Sequence, residues 1–276
     1  MTFSFNRILL ATEHTEFDTG AERLAFELAR QCAAPLHGVL PLVSNDEYET
    51  VAPQLVEQAE EEAFAKVTQL RAAAAAVGVD LDIRVRRGED PAQEIIAEAQ
   101  QCDADLVVAR RRGKRSFFAK LMVGEMPGKV ATLAPCSVLL VPRAARMWSQ
   151  RIVAGVDASP AAQRAAEIAA NIALRFDVPL LIVSAAVHDT AADRADAESA
   201  VASAMPIAQR VGARTEGRIV TGRPGEAIAT LAAETGADLV VVGRTGEGGR
   251  LQRMLLGGTA HRIIGLVSCP VLVVKL

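Results

Sequence analysis

The chain has 276 residues, of which 50% are hydrophobic and 23% are charged, and its formal net charge is -3. These values exclude a disordered chain and a broadly basic nucleic-acid-binding protein, and the length suits two domains of ordinary size. No apolar stretch is long enough to span a bilayer, and the amino terminus lacks a signal-peptide pattern, so we expect a cytoplasmic protein without a membrane partner.

The four cysteines, Cys32, Cys102, Cys136 and Cys269, are scattered without any C-x-x-C spacing. This spacing argues against a zinc site and against a secreted disulfide framework. We therefore expect reduced thiols and no metal site. Aromatic residues make up only 4% of the chain, which leaves few rings on which nucleic-acid bases could stack.

The chain contains two copies of one unit. ADLVVARRRG at Ala104 matches ADLVVVGRTG at Ala237, and CSVLLV at Cys136 matches CPVLVV at Cys269, in both cases at an offset of 133 residues. Near the amino ends, RILLATEHT pairs with RIVAGVDAS at an offset of 144 residues, so the first copy has 11 extra residues between its second and third strands. We predict domains at 1–142 and 151–276, joined by a linker at 143–150.

Apolar strands alternate with helical segments in both copies. In the second copy we predict strands at 151–156, 180–186, 217–220, 238–243 and 271–274, separated by helices near 161–174 and 192–211, from 225, and after 258. Continuous apolar strands between helices indicate a parallel sheet covered on both faces. Each copy is therefore expected to be an α/β domain with five strands.

A cluster of glycines follows the fourth strand of the second copy, namely Gly243, Gly246, Gly248, Gly249, Gly257 and Gly258. Glycine lets a ligand approach the backbone closely, and the helix after this cluster would present free amides to an anion. The motif alone leaves both an anion site and a purely structural loop open. Three other phosphate motifs, G-x-G-x-x-G, G-x-x-x-x-G-K-[ST] and S-G-G-x-D-S, are absent, which removes three nucleotide-binding families.

The motifs that the chain does contain resemble, when taken together, those of the universal stress protein family in its tandem form. The resemblance rests on the glycine cluster and on D-A-S at Asp157, G-R-P at Gly222, A-D-L-V-V-V-G at Ala237 and S-C-P at Ser268. It implies two doubly wound five-stranded parallel sheets of the adenine nucleotide alpha hydrolase-like type, each with strand order 3-2-1-4-5. Nucleotide-binding members carry G-x2-G-x9-G-[ST]. Here ten residues separate the second and third glycines of that motif, and glycine replaces its Ser or Thr.

The resemblance implies ATP, with or without Mg²⁺, as a ligand of the second copy. The implied nucleotide-binding residues are a carboxylate after the first strand, an alanine of the second strand, and the glycine loop with its threonine: Asp157, Ala185, Gly243, Gly246, Gly257, Gly258 and Thr259. The carboxylate would accept hydrogen bonds from ribose or adenine, the alanine backbone would hold the adenine edge, and the loop would wrap the phosphates. As an alternative, Ser159 and Thr259 are simple helix caps.

The first copy departs from this pattern. Arg110 stands at the position of Gly243, Glu125 at that of Gly258, and Glu13 at that of Asp157. A long side chain and a carboxylate beside the phosphates disfavour ATP binding in this half. We interpret the basic run Arg110 to Arg115 as a solvated or internally paired loop, with another anionic ligand as the alternative and nucleic acid disfavoured.

Neither copy has a recognisable Ser-His-Asp, Cys-His or paired-carboxylate arrangement, so we assign no catalytic residue. The resemblance implies at most slow ATP hydrolysis or self-phosphorylation. We predict a stress-response protein that binds ATP as a regulatory ligand. The alternative is a stress-induced interaction module that binds no nucleotide and acts through protein contacts or another small ligand. The last strands, 138–141 and 271–274, are expected to pair within the chain as a pseudo-dimer or between chains as a homodimer.

Overall fold

The computed structural model describes residues 5–111, 125–245 and 256–276, without the side chains of residues 46–48 and 125. The described elements of the first half, in chain order, are β1 Ile8–Ala11, α1 Thr19–Cys32, β2 Leu36–Val43, α2 Asp46–Val51, α3 Pro53–Ala76, β3 Leu81–Gly88, α4 Pro91–Gln101, β4 Leu106–Arg110, α5 Glu125–Leu133 and β5 Ser137–Val141. Those of the second half are β6 Ile152–Gly155, α6 Pro160–Phe176, β7 Leu180–Ala186, α7 Ala191–Val211, β8 Thr215–Thr221, α8 Pro224–Glu234, β9 Leu239–Gly243, α9 Gly258–Leu266 and β10 Val271–Val274.

The strands of the described ranges form one continuous sheet in the order β3-β2-β1-β4-β5-β10-β9-β6-β7-β8. Each half has the predicted order 3-2-1-4-5, and its strand pairs are parallel. The two halves meet where β5 and β10 pair antiparallel, with Leu139 opposite Leu272. The predicted α/β fold with two tandem doubly wound units is confirmed, and the last strands pair within the chain.

Helices cover both faces of the sheet. On one face, α1, α3, α6 and α7 pack side chains such as Leu24, Leu70 and Ile168 into a single apolar layer that runs through both halves. On the other face, α4, α5, α8 and α9 form a second layer that includes Ile95 and Ile263. The central strands are buried on both sides, which explains why they are apolar throughout. Among the described helices, none combines the length and apolar character that a membrane span requires.

The 11 extra residues of the first half lie between β2 and β3, as predicted. They form the short helix α2, which has no counterpart among the described elements of the second half, and they lengthen α3 to 24 residues against 21 in α7. The added length therefore stays on the outer side of one half. It leaves the central strands and the equivalence of the two halves of the sheet unchanged.

The segment between the halves is held by contacts on both sides. Arg23 Nη1 of α1 donates to the carbonyl of Ala145 at 2.7 Å. Trp148 is buried and packs edge to face against Phe176 of α6, with ring centroids 5.1 Å apart. Asp238, at the start of β9, accepts the amides of residues 149 and 150 at 2.5 and 2.9 Å. The segment is thus an ordered connection between the two halves of the sheet.

Candidate functional site

A cavity of about 320 Å³ lies at the carboxyl ends of β6, β7 and β9, against the start of α9. The helix that follows β6 covers one face of the sheet and the helix that follows β9 covers the other, so a crevice opens between these two strands. The cavity is lined by six of the residues predicted from the sequence: Asp157, Ala185, Gly243, Gly257, Gly258 and Thr259. The seventh, Gly246, lies outside the described residues.

Asp157 lies in the turn between β6 and α6. Its Oδ1 accepts the amide of Ser159 at 3.0 Å, and the hydroxyl of Ser159 accepts the amide of Ala162 at 3.1 Å. Ser159 is therefore the N-cap of α6, which confirms the capping alternative for this residue. Among the described residues, the second carboxylate oxygen of Asp157 has no hydrogen-bond partner, so it remains available to a ligand.

Gly243 lies at the end of β9, directly beneath the first turn of α6. A Cβ at this position would lie 3.0 Å from the backbone carbon and the Cβ of Ala161, which is closer than side chains normally pack. The sequence predicted that glycine here serves the approach of a phosphate. The close packing of α6 on β9 gives a second reason for glycine here, because a side chain would require Ala161 to shift. Gly243 also lines the cavity, and its contact with a phosphate stays a prediction.

The start of α9 faces the cavity. The amide of Gly257 donates to the carbonyl of Arg244 at 2.8 Å, and the carbonyl of Gly257 accepts the amide of His261 at 2.9 Å. Gly257 is the N-cap and has no side chain, and Thr259 lies one residue inside the helix, so Thr259 does not cap α9. The first amides of a helix lack intrahelical acceptors and carry the positive end of the helix dipole. These amides line the cavity at Gly258, Thr259 and Ala260.

The reason for glycine at position 258 differs from the reason for glycine at position 243. A Cβ at Gly258 would have no atom within 4 Å from the described residues beyond its own chain neighbours and helix, and the backbone is not in the left-handed region. Neither packing against the described residues nor backbone conformation therefore requires glycine at this position, and glycine is a poor helix former. The missing side chain leaves the exposed first turn of α9 open to a ligand, and within the part of the chain that the structure describes nothing else explains glycine at position 258.

Ala185 contributes backbone groups rather than a side chain. The carbonyl of Val183 accepts the amide of Val156 from the chain that follows β6, and the carbonyl of Ala186 accepts the amide of Gly222 from the chain that follows β8. Because backbone groups alternate sides along a strand, the N–H and C=O of Ala185 point toward β6. The pairing of β6 with β7 ends at Gly155 and Val183, so these groups face the cavity beyond the end of β6.

The remaining cavity wall is mixed in character. Apolar side chains come from β9, α6 and α8, including Val242, Ala162 and Ile228, and hydroxyl groups come from Ser184 and Thr245. The sequence did not indicate these residues singly, although Pro224 of the same wall belongs to the G-R-P motif. Among the described lining residues, the single charged group is the carboxylate of Asp157.

Two contacts fix α9 against α8. A Cβ at Gly225 would lie 2.6 Å from the Cβ of Arg262, so glycine permits the two helices to touch. The guanidinium of Arg262 donates to Glu226, and this bond holds the pKa of that carboxyl below its usual range. Within the described parts of the chain, no group of three or more His, Cys, Asp or Glu side chains is placed to hold a metal ion.

The corresponding strand ends of the first half are occupied by an ion-pair network. Arg110 donates to Glu13, Thr15 and Asp18, at distances of 2.7, 3.1 and 3.3 Å. Arg111 donates to the carbonyls of residues 264 and 267 at 2.9 and 2.8 Å. Both described arginines of the basic run are thus internally paired, and residues 112–115 lie outside the described residues.

Comparison with known proteins places these features in one family. A model of the universal stress protein family matches residues 4–142 and 149–275. A universal stress protein of Methanocaldococcus jannaschii is 33% identical over 140 residues, which cover 46% of this chain and 82% of the relative. One of Synechocystis is 25% identical over 170 residues, which cover 62% of this chain and 58% of the relative. The solved structure of a universal stress protein from Archaeoglobus fulgidus has a TM-score of 0.75 at 21% identity, over 99% of this chain and 97% of that chain, and shares the fold.

Proposed function

Because this chain belongs to the universal stress protein family, with a family match in each half, we propose that it is a cytoplasmic stress-response protein whose second half binds ATP as a regulatory ligand. The observation that carries the proposal is the cavity between the ends of β6 and β9. Six of the residues that the sequence predicted for the site line this cavity. Open α/β sheets bind ligands at this switch point. The proposal keeps domains at 1–142 and 151–276, joined by residues 143–150.

Each part of ATP is assigned to a different wall of the cavity. The phosphates are assigned to the first turn of α9, where free amides and the helix dipole favour an anion. The ribose is assigned to the free carboxylate oxygen of Asp157, and the adenine edge to the N–H and C=O of Ala185. One donor and one acceptor on a single residue match the amino group and ring nitrogen of adenine.

The proposed role is binding rather than turnover. Hydroxyl groups of Ser159, Ser184, Thr245 and Thr259 line the described part of the cavity, but no histidine or lysine accompanies them there. A hydroxyl needs an adjacent base to act as a nucleophile. Mg²⁺ that accompanies ATP would be bound mainly through phosphate oxygens, as is usual for this ion, and Asp157 is the carboxylate that the described lining offers.

Equilibrium dialysis of the purified full chain against ATP tests the proposal, with GTP as the matched control. We expect saturable binding of ATP and weaker binding of GTP, because guanine presents its donor and acceptor to Ala185 in the opposite order. If neither nucleotide binds saturably, the proposal fails. The alternative then takes its place, namely an interaction module that acts through protein contacts or another small ligand.

A further inference from the structure

Arg244 connects the proposed nucleotide site to the other half of the protein. Its Nη1 donates to the carbonyls of Thr132 and Ala134 at 3.1 and 2.9 Å. These two acceptors lie at the carboxyl end of α5, in the first half. A cation that donates to the last carbonyls of a helix satisfies their hydrogen-bonding capacity and interacts favourably with the negative end of the helix dipole.

The backbone of the same residue holds the cavity wall. The amide of Arg244 donates to the carbonyl of Val274 in β10 at 2.8 Å, and its carbonyl accepts the amide of Gly257 at 2.8 Å. Its neighbours in the chain, Gly243 and Thr245, both line the cavity. One residue therefore joins the end of β9, the start of α9 and the α5 helix of the opposite half.

The equivalent residue of the first half, Arg111, makes the reciprocal contact. It donates to the carbonyls of Ile264 and Val267 at the carboxyl end of α9. The antiparallel pairing of β5 with β10 places each arginine beside the other half's last helix. Burial lowers the pKa of both guanidinium groups, yet arginine remains charged at neutral pH.

We propose that Arg244 is a positioning residue for the nucleotide site, through which the first half fixes the start of α9 that receives the phosphates. This inference rests on the proposed function for its ligand. A helix start that is already held does not have to be ordered when ATP binds, and preorganisation of this kind raises affinity. The first half, whose own strand ends carry the Arg110 network, thereby contributes to the site without binding nucleotide.

Arg244→Met tests this role, because methionine keeps an apolar side chain but cannot donate to the α5 carbonyls. We expect ATP affinity to fall about tenfold, the equivalent of one lost ordering contact. In the absence of ATP, amide hydrogen exchange in residues 256–261 should become faster. Arg244→Lys, which retains a donor and a charge, should recover part of both effects. If Arg244→Met does not fold, the ATP affinity of Arg244→Lys and its amide exchange in residues 256–261 decide instead whether Arg244 positions the site.

Lys275→Met is the matched control. Lys275 Nζ donates to the carbonyl of Pro135 across the same boundary at 2.6 Å, and Lys275 does not line the cavity. This variant should leave ATP affinity and exchange in residues 256–261 unchanged. Arg111 is unsuitable as a control because it contacts α9 itself. Equal effects of Arg244→Met and Lys275→Met, or no effect of Arg244→Met on exchange, would overturn the inference. A wild-type protein that does not bind ATP overturns the proposed function instead, and the exchange measurement still decides the role of Arg244.

Discussion

The guanidinium of Arg110 donates to the carboxylate of Glu13 over 2.7 Å, and these two residues stand at the positions of Gly243 and Asp157 in the second half. The same guanidinium also reaches Asp18, which is 1% exposed. In the first half, a side chain thus spans the gap between the end of β4 and the turn after β1. In the second half, the equivalent gap is the cavity.

Replacement of Arg110 by methionine should destabilise the protein, because the buried carboxylate of Asp18 would lose its cation. We expect a loss of about 2 to 3 kcal/mol in the free energy of unfolding, measured by urea denaturation. Arg164→Met is the control, since its ion pair with Glu167 is nearly half exposed on both sides, and it should cost less than about 0.5 kcal/mol. Equal losses in the two variants would contradict the structural role of the Arg110 network.

The two glycines of the site should respond differently to substitution. Gly243→Ala forces a Cβ against the backbone of α6, and overpacking of this kind costs about 1 to 3 kcal/mol of stability. Gly258→Val has open space among the described residues and should change stability by less than about 0.5 kcal/mol. Its side chain would cover the first amides of α9, so ATP affinity should fall at least tenfold, or about 1.4 kcal/mol.

Urea denaturation and an ATP titration on both glycine variants separate these two effects. A destabilised Gly258→Val protein would show that packing, rather than a ligand, explains this glycine. Unchanged ATP affinity in a stable Gly258→Val protein would remove the phosphates from the start of α9.

The carboxylate of Asp157 should matter for ligand binding and little for folding. In Asp157→Asn, the amide oxygen can still accept the Ser159 amide, but the second carboxylate oxygen is lost as an acceptor. The loss of one hydrogen bond to a charged group is worth about 1.5 kcal/mol, so we expect an affinity about tenfold lower in an equilibrium titration. Glu13→Gln, the matched change in the first half, should leave ATP affinity unaltered. If Glu13→Gln weakens ATP binding and Asp157→Asn does not, the ligand binds in the first half and the proposed site is contradicted.

Alkaline pH should destabilise the protein through two half-buried thiols. Burial raises the pKa of Cys136 to about 12 and that of Cys269 to about 11, from an ordinary value of 9.0. A thiol with a raised folded-state pKa stabilises the protein fully below pH 9, and the contribution is lost as pH rises through the folded pKa. Between about pH 9 and its folded-state pKa, each thiol therefore lowers the free energy of unfolding by about 1.4 kcal/mol per pH unit.

Urea denaturation at pH 8 and pH 10.5, under reducing conditions, measures this loss. A variant with both Cys136→Ala and Cys269→Ala should lose less stability between these two pH values, by about 2 kcal/mol or more. Other groups titrate in the same range, so the difference between the two proteins is the informative quantity. Parallel pH profiles would mean that these thiols ionise as easily in the folded protein as in the unfolded one.

Much of the fold follows from the sequence because the chain repeats itself. The constant offset of 133 residues aligns the fourth and fifth strands of both halves, and the alternation of apolar and helical segments predicts each strand within a few residues. The strand predicted at 217–220 extends over Thr215–Thr221, because pairing with β7 carries polar edge residues into the sheet. The short helix α2 was not predicted, since six residues are too few for a clear periodic pattern.

The site was harder to predict where its physics depends on contacts between distant segments. Glycine at 243 was predicted as a ligand contact, and the folded chain adds a second reason that the sequence did not indicate, namely the close packing of α6 on this position. The reciprocal contacts of Arg111 and Arg244 could not be predicted, because their acceptors lie more than 100 residues away and are brought close only by the pairing of β5 with β10. Ser159 and Thr259 were each considered as helix caps, and the position at which each helix begins decides that Ser159 is one and Thr259 is not.

The central claim is that one chain binds one ATP, in its second half. Isothermal titration calorimetry of the full-length protein tests it most directly, with Asp157→Asn and Glu13→Gln titrated beside the wild type. We predict a stoichiometry of one, a weakened titration in Asp157→Asn and an unchanged one in Glu13→Gln. A stoichiometry of two, or an absence of heat that persists across ATP concentrations and temperatures, would contradict the account.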